Sequence, residues 1–355
     1  MQKQQYKSYV MGVFALLLLI PCLSFAGKDF ERIVVFGDSL SDPGNVFAIT
    51  GNSLKPPYSS LDEFLIPDAP YARGGHHFSN GATWVERFAK KLDLGDSVGP
   101  AFKVEDEDEL KRSNYAVGGA RARDDGENIN LTAQIGAFFA DTRGVALEES
   151  FYVMALGGND VRDAVEALAL DDTGIASAEI LARALSSISD SLIALYSAGA
   201  RTVMVANAPD ISLTPAIQKF DQVSPGAALG AALLVSQFNS ELEGLLTLLE
   251  QSSPGLEIIR LDLFQGIREI VADPAAYGLN NVQDACVMPN QKPSACKKPK
   301  RYLFWDGIHP TKKTHRVIAR KARQAFNVFF KEDSGEACPY GGKSRSAQCK
   351  PRLWL

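Results

Sequence analysis

Short runs of β-branched and aromatic residues alternate with long amphipathic segments along most of this 355-residue chain. That alternation commits a chain to a parallel sheet covered by helices on both faces. Ile33 to Phe36, Ser113 to Ala116, Phe151 to Leu156, Thr202 to Ala206 and Leu256 to Leu261 read as strands. Helical spacing runs through Trp84 to Leu92, Leu131 to Ala140, Ile175 to Ala198, Gly226 to Glu250 and Pro310 to Phe329. Five strands in this alternation predict a flavodoxin-like three-layer α/β/α sandwich with a five-stranded parallel sheet. Three stretches break the pattern and read as long surface loops: 51–81, 95–112 and 278–301. Loops of that length in an α/β enzyme commonly build the substrate site. The acidic run Glu105-Asp106-Glu107-Asp108-Glu109 in the second is read as a solvated loop rather than a cation or substrate contact.

The first 26 residues read as a signal peptide. Lys3 and Lys7 precede an apolar run from Val10 to Ile20 that is short for a membrane span, and Ser24-Phe25-Ala26 offers a cleavage site. A lipid anchor at Cys22 is the rival reading, disfavoured by the bulky Pro21 before it. Residues 27–355 are then expected to form one domain, exported to the periplasm or beyond, with a short cysteine-containing tail. Loss of the two lysines takes the net charge from -5 to -7, which argues against a nucleic-acid surface. Four cysteines remain, and their order favours Cys286 with Cys296 and Cys338 with Cys349, although spacing leaves connectivity open. No Cys-x-x-Cys pair or neighbouring histidine suggests zinc.

In Ile33-Val-Val-Phe-Gly-Asp-Ser39-Leu-Ser-Asp42, a buried strand ends at a glycine and presents a serine. Ligands of open parallel sheets bind beyond the carboxyl ends of the strands, so Ser39 sits where a nucleophile belongs. A helix N-cap would explain the same serine as well, with Asp42 one turn on. A serine hydroxyl needs a base to take its proton, and the base needs a carboxylate to orient it. Of the four histidines, His309 lies in Trp305-Asp306-Gly307-Ile308-His309-Pro310, at the entrance of the last helix. Asp306 can fold back on a turn loosened by Gly307 to accept the Nδ1 proton, leaving Nε2 for the serine. His315, inside the helix, reads as a surface residue, as do the adjacent His76 and His77, which could alternatively line the pocket. Oxyanion donors are available where two strand ends meet double glycines, Gly118-Gly119 and Gly157-Gly158-Asn159-Asp160. Tight turns and an N-cap would explain either segment alone.

Taken together, these blocks resemble the GDSL esterase/lipase family, the SGNH hydrolases: Gly37-Asp38-Ser39-Leu40-Ser41-Asp42, Gly118, Gly157-Gly158-Asn159-Asp160 and Asp306-Gly307-Ile308-His309-Pro310 appear in the family's order. The resemblance implies the SGNH hydrolase fold, a Ser39–His309–Asp306 triad, and an oxyanion hole made by the Ser39 and Gly118 amides with the Asn159 side chain. It implies no metal or other cofactor. Phe78-Ser-Asn80-Gly-Ala-Thr-Trp84 resembles a segment of the longer branch that includes plant lipases and bacterial lecithinase or haemolysin-type phospholipases, with His77 where that branch often has arginine. His77, Phe78 and Asn80 are accordingly candidate pocket residues. No Gly-x-Ser-x-Gly elbow, His-Glu-x-x-His or nucleotide-binding glycine pattern competes.

The expected activity is hydrolysis of a small-molecule or lipid carboxylic ester through an acyl-enzyme. A phospholipase or lysophospholipase and a carbohydrate acetyl esterase are the alternatives within that class, and a binding module without catalysis is the alternative outside it. A monomer that touches membrane surfaces transiently is expected, with Phe64-Leu65-Ile66 the candidate apolar contact.

Overall fold

The computed structural model describes residues 30–62, 64–103 and 112–333. The 1–26 signal segment, the acidic run 105–109 and the cysteines at 338 and 349 lie outside the described residues. Four buried runs form parallel strands: β1 (Arg32–Gly37), β2 (Ser150–Ala155), β3 (Thr202–Ala206) and β4 (Glu257–Leu261), in the order β1-β2-β3-β4. Successive side chains of a strand point to opposite faces. Val34, Phe36, Tyr152, Met154, Val203 and Val205 therefore enter one core, and Ile33, Val35, Phe151, Val153 and Met204 enter the other.

Helices cover both faces. The first core takes residues from α3 (Leu131–Thr142), α4 (Gly158–Leu170), α5 (Ile175–Ser197) and α7 (Ala227–Ser252). The second takes α2 (Trp84–Ala89), Leu263 of α8 (Leu263–Ala272) and α9 (Lys312–Asp333). Two shorter helices, α1 (Asn45–Thr50) and α6 (Pro215–Val223), lie in the loops that follow β1 and β3. Each face is thus closed by helices, the arrangement that lets a parallel sheet be apolar on both sides.

The expected fifth strand, Ser113 to Ala116, does not form a ladder and is corrected to a bridged edge segment. It lies parallel beside β1 through an isolated bridge at Val35 and Asn114, with hydrogen bonds from Val35 N–H to Ser113, from Tyr115 N–H to Val35 and from Val117 N–H to Gly37. Its outer edge is occupied by non-strand partners. The Asn45 side-chain amide donates to the Asn114 and Ala116 carbonyls, and Ala101 N–H also donates to Asn114. With this segment counted in second place, the spatial order is the flavodoxin-like 2-1-3-4-5.

The 278–301 stretch is not all loop. It contains β5 (Asn281–Ala285), which pairs in parallel with β6 (Tyr302–Phe304) in a separate two-stranded sheet. Cys286 and Cys296 are disulfide-bonded just after β5. They join Leu54, Tyr58, Tyr71, Val287 and Trp305 in a small apolar cluster, so the 51–81 and 278–301 stretches pack on each other. Among the described residues, no helix is long and apolar enough to cross a membrane.

Candidate active site

Ser39 stands just past the carboxyl end of β1. The turn that presents it is drawn together by Asp38: the Leu40 N–H donates to the Asp38 carboxylate (2.9 Å), and the Ser41 and Asp42 N–H groups donate to its carbonyl (3.0 Å each). Ser39 is left at the tip, with an N–H that makes no hydrogen bond among the described residues. Asp42 is wholly buried and accepts the N–H groups of Gly44, Asn45 and Val46, which caps the entry to α1. Burial raises its carboxyl pKa, against the pull of these N–H donors. The N-cap of α1 is Gly44 rather than Ser39, and Asp42 binds the chain entering the helix.

The second half of the site lies between β6 and α9. Asp306 is fully buried; one carboxylate oxygen accepts the Ile308 and His309 N–H groups (2.9 and 2.7 Å), and the other lies 2.8 Å from His309 Nδ1. His309 Nε2 lies 2.8 Å from Ser39 Oγ. Carboxylate, imidazole and hydroxyl thus form one unbroken chain of hydrogen bonds. Gly307 is needed for a reason other than turn flexibility: a Cβ there would stand 1.9 Å from the Phe64 carbonyl oxygen. Its N–H donates to Leu65 (3.1 Å) and its carbonyl accepts the Ala216 N–H (2.9 Å). The Phe64-Leu65-Ile66 segment, expected as an exposed patch, is half-buried and braces this turn.

Asn159 lies in the first turn of α4, one residue after Gly158. One amide hydrogen goes to the Ala120 carbonyl (2.8 Å), and the other has no partner among the described residues. The loop around it is locked by charge. Buried Asp160 accepts the Ala122 and Arg123 N–H groups and pairs with the Arg123 guanidinium (3.0 Å), while Asp163 takes both Arg121 and Arg123. Ser39, Asn159 and His309 line one cavity of about 80 Å³ whose other walls include Leu40, Ile211, Ile217, Leu263, Ile267 and Ile308. Asp38 also lines it, and burial pushes its carboxyl up to about 6, against the pull of the Leu40 N–H and nearby His309.

The structure does not bring every anticipated residue here. Gly118 does not line the cavity; its N–H is donated to Asp42 (2.9 Å), and a Cβ there would meet the Phe78 ring at 2.1 Å. This geometry does not support its expected place in the oxyanion hole, because its N–H is already donated to Asp42. Phe78 itself lies beside the site, its ring centroid 5.3 Å from that of His309. His77 points elsewhere. Its Nε2 lies 2.8 Å from Glu86, which also accepts the Thr83 N–H and hydroxyl at the start of α2, and its Nδ1 faces the Gly74 carbonyl. Glu86 and the Gly74 carbonyl raise the His77 pKa against the lowering effect of burial. Asn80 accepts the Lys312 N–H (2.7 Å) and lines a separate depression. His315 is buried rather than exposed, and its Nδ1 accepts the Trp84 N–H (3.1 Å).

Most of the cavity's apolar walls and three of its polar residues, Arg162, Asp210 and Thr214, were missed by sequence reasoning. Arg162 follows Asn159 by three positions, so both occupy one face of α4. That spacing was the available signal.

A family model described as GDSL-like Lipase/Acylhydrolase matches residues 33–322. A GDSL esterase/lipase of Arabidopsis thaliana is 27% identical over 340 residues, covering 86% of this chain and 90% of the relative. Another from the same plant is 28% identical over 326 residues, covering 82% of this chain and 80% of the relative. Among solved structures, a catalytic mutant of an acetylxylan esterase from Geobacillus stearothermophilus superposes with a TM-score of 0.41 at 12% identity, over 84% of this chain and 94% of that one.

Proposed function

The chain belongs to the GDSL-like lipase/acylhydrolase family and is a carboxylic-ester hydrolase acting on small-molecule esters; on that premise we propose that Ser39 is its nucleophile, His309 its base and Asp306 the orienting carboxylate. The observation that carries these roles is the relay itself, with 2.8 Å from Asp306 to His309 and 2.8 Å from His309 to Ser39. Nucleophile, base and orienter within hydrogen-bond reach are the geometry of activated serine chemistry.

In the proposed reaction, Ser39 Oγ attacks the ester carbonyl as His309 Nε2 takes its proton. Asp306 holds the Nδ1 proton and stabilises the imidazolium. The oxyanion is received by the Ser39 N–H and the second amide hydrogen of Asn159. His309 then protonates the departing alcohol, and water repeats the sequence on the acyl-enzyme to release the acid. The apolar walls around the reacting atoms receive the acyl group, and the small volume favours short chains. Ser39→Ala should lower kcat/KM for p-nitrophenyl acetate by roughly 10⁴-fold or more and abolish labelling by a fluorophosphonate, with the fold intact by circular dichroism. A folded variant that keeps a tenth of the wild-type activity would rule the mechanism out.

A lipid ester is the second reading, and exposed apolar side chains favour it. Leu170, Ile175, Val223, Leu229 and Leu233 are 91%, 71%, 74%, 65% and 63% exposed. They lie at the ends of α4 and α6 and the beginnings of α5 and α7. At about 1.5 Å per residue, α5 and α7 are much longer than the strands they precede, so their first turns overhang the end of the sheet that carries Ser39. A surface of that kind suits transient contact with lipid. Replacing Leu229 and Leu233 by serine should then slow hydrolysis of emulsified esters while sparing soluble ones; equal effects on both would remove this reading. Export is proposed from the 1–26 pattern and agrees with a disulfide at Cys286 and Cys296.

A further inference from the structure

The 51–81 and 278–301 stretches also meet around a second depression of about 810 Å³. Arg73, Lys292, Lys297 and Lys312 line it, and among the described residues no aspartate or glutamate does. Among the described residues none of these four cations forms an ion pair. This is a local departure, because the chain as a whole carries a net charge of -5. Trp305, 4% exposed, also lines the depression, and its indole N–H has no hydrogen-bond partner. The Nε1 atom itself is sealed from solvent, so the indole frames the hollow as an apolar wall and the cations supply its polar character.

The walls are held in place. The Cys286–Cys296 disulfide fixes one side, and the Asn80 side chain fixes Lys312 on the other by accepting its N–H. The backbone that carries the cations is thereby restrained, so binding need order only their side chains.

We propose that this depression is a binding site for a phosphate-bearing ligand, separate from the Ser39 cavity. Four cations around one hollow exceed what a single carboxylate can neutralise, whereas a phosphate carries close to two charges and several acceptor oxygens. Lysine ammonium groups meet phosphate as point charges, and the Arg73 guanidinium can grip two of its oxygens. The phosphate can belong to a soluble molecule or to a lipid headgroup, and the two sources are separable by experiment.

The full chain would be titrated with inorganic phosphate and pyrophosphate by calorimetry at low salt, and in parallel floated with vesicles of phosphatidylglycerol or of phosphatidylcholine. Binding of the soluble anions alone assigns the site to a soluble phosphorylated ligand. Preferential flotation with phosphatidylglycerol assigns it to an anionic lipid surface. In either case Lys292→Glu with Lys297→Glu should weaken binding by roughly tenfold or more, and added salt should weaken it in the wild type. Both lysines are exposed, so the variant should melt as the wild type does and hydrolyse p-nitrophenyl acetate unchanged. Hydrolysis of that ester reports on the Ser39 site alone, so failure of one proposal leaves the other standing. No binding by the wild type to any of these probes, or binding that survives the double charge reversal, would overturn the proposal.

Discussion

At the residue scale, the site is set by which atoms have room and which donors are already taken. Gly307→Ala would drive a methyl group into the Phe64 carbonyl, so either the 51–81 loop or the Asp306–His309 turn must shift. We expect a stability loss of about 1–3 kcal/mol and a drop in kcat larger than any change in KM, read by thermal melts and steady-state kinetics. Wild-type kcat in the alanine variant would show that the Phe64 contact does not set the position of His309. Asp38 allows a prediction with a definite sign. Its carboxyl lies at about 6 in the folded protein against a usual 3.8, so between those values the folded state binds the proton more tightly. Stability therefore falls as pH rises from about 4 to 6 and levels off above, a change of about 3 kcal/mol from this group. Asp38→Asn removes the fall, so its melting temperature should gain on the wild type from about pH 4 to 7; an offset independent of pH would refute this. The proposed nucleophile, base and carboxylate could be named from the sequence because the chemistry leaves few candidates among four histidines, and the three side chains stand within hydrogen-bond reach. The occupancy of the Gly118 N–H by Asp42 could not be read there, because it joins positions 76 residues apart.

At the element scale, the runs that became β1 to β4 were legible because a strand buried on both faces must be apolar throughout. The same rule misled at Ser113 to Ala116, which is as buried as a strand yet spends its outer edge on side chains and loop amides. Asn45 is the residue that makes this possible, donating to two carbonyls of the segment and accepting the Phe102 N–H. Asn45→Ala should leave the Ala116 carbonyl and the Phe102 N–H without these partners and cost about 2 kcal/mol or more, measured by denaturant unfolding. A loss below half that figure would mean that water replaces the side chain. Four helices escaped the sequence reading for physical reasons, and α1, six residues long, is too short to show a period at all. Helix α6 spans nine residues and offers little over two turns of periodicity. Helix α8 starts two residues after β4, so its apolar face merges with the strand. Helix α4 ends on an almost bare Leu170, which blurs its buried stripe. The caps were present all the same: the Thr214 and Asp262 side chains accept N–H groups of the first turns of α6 and α8.

At the scale of the whole molecule, the sheet with its two cores is one body of apolar packing, and the cluster of Leu54, Tyr58, Tyr71, Val287 and Trp305 is another. The second is small and is closed by the disulfide between Cys286 and Cys296, ten positions apart. Cross-linking a loop of that size is worth about 3 kcal/mol, chiefly by restricting the unfolded chain. The cluster reaches the proposed catalytic residues through Trp305, which adjoins Asp306 and whose backbone N–H donates to the His309 carbonyl (2.7 Å). The triad is therefore shared between the two bodies: Ser39 emerges from the large sheet, while Asp306 and His309 follow β6 on a turn backed by the small cluster. Loosening the cluster should separate Ser39 from His309 before the large sheet melts, because contiguous packed units open with their own free energies. The double replacement of Cys286 and Cys296 by alanine should accordingly lose esterase activity at a lower temperature than it loses its helical circular dichroism signal. In the wild type the two transitions should lie closer together. If the variant's activity and helical signal were lost in one coincident transition, the small cluster would be part of the main cooperative unit and this division of the triad would be wrong.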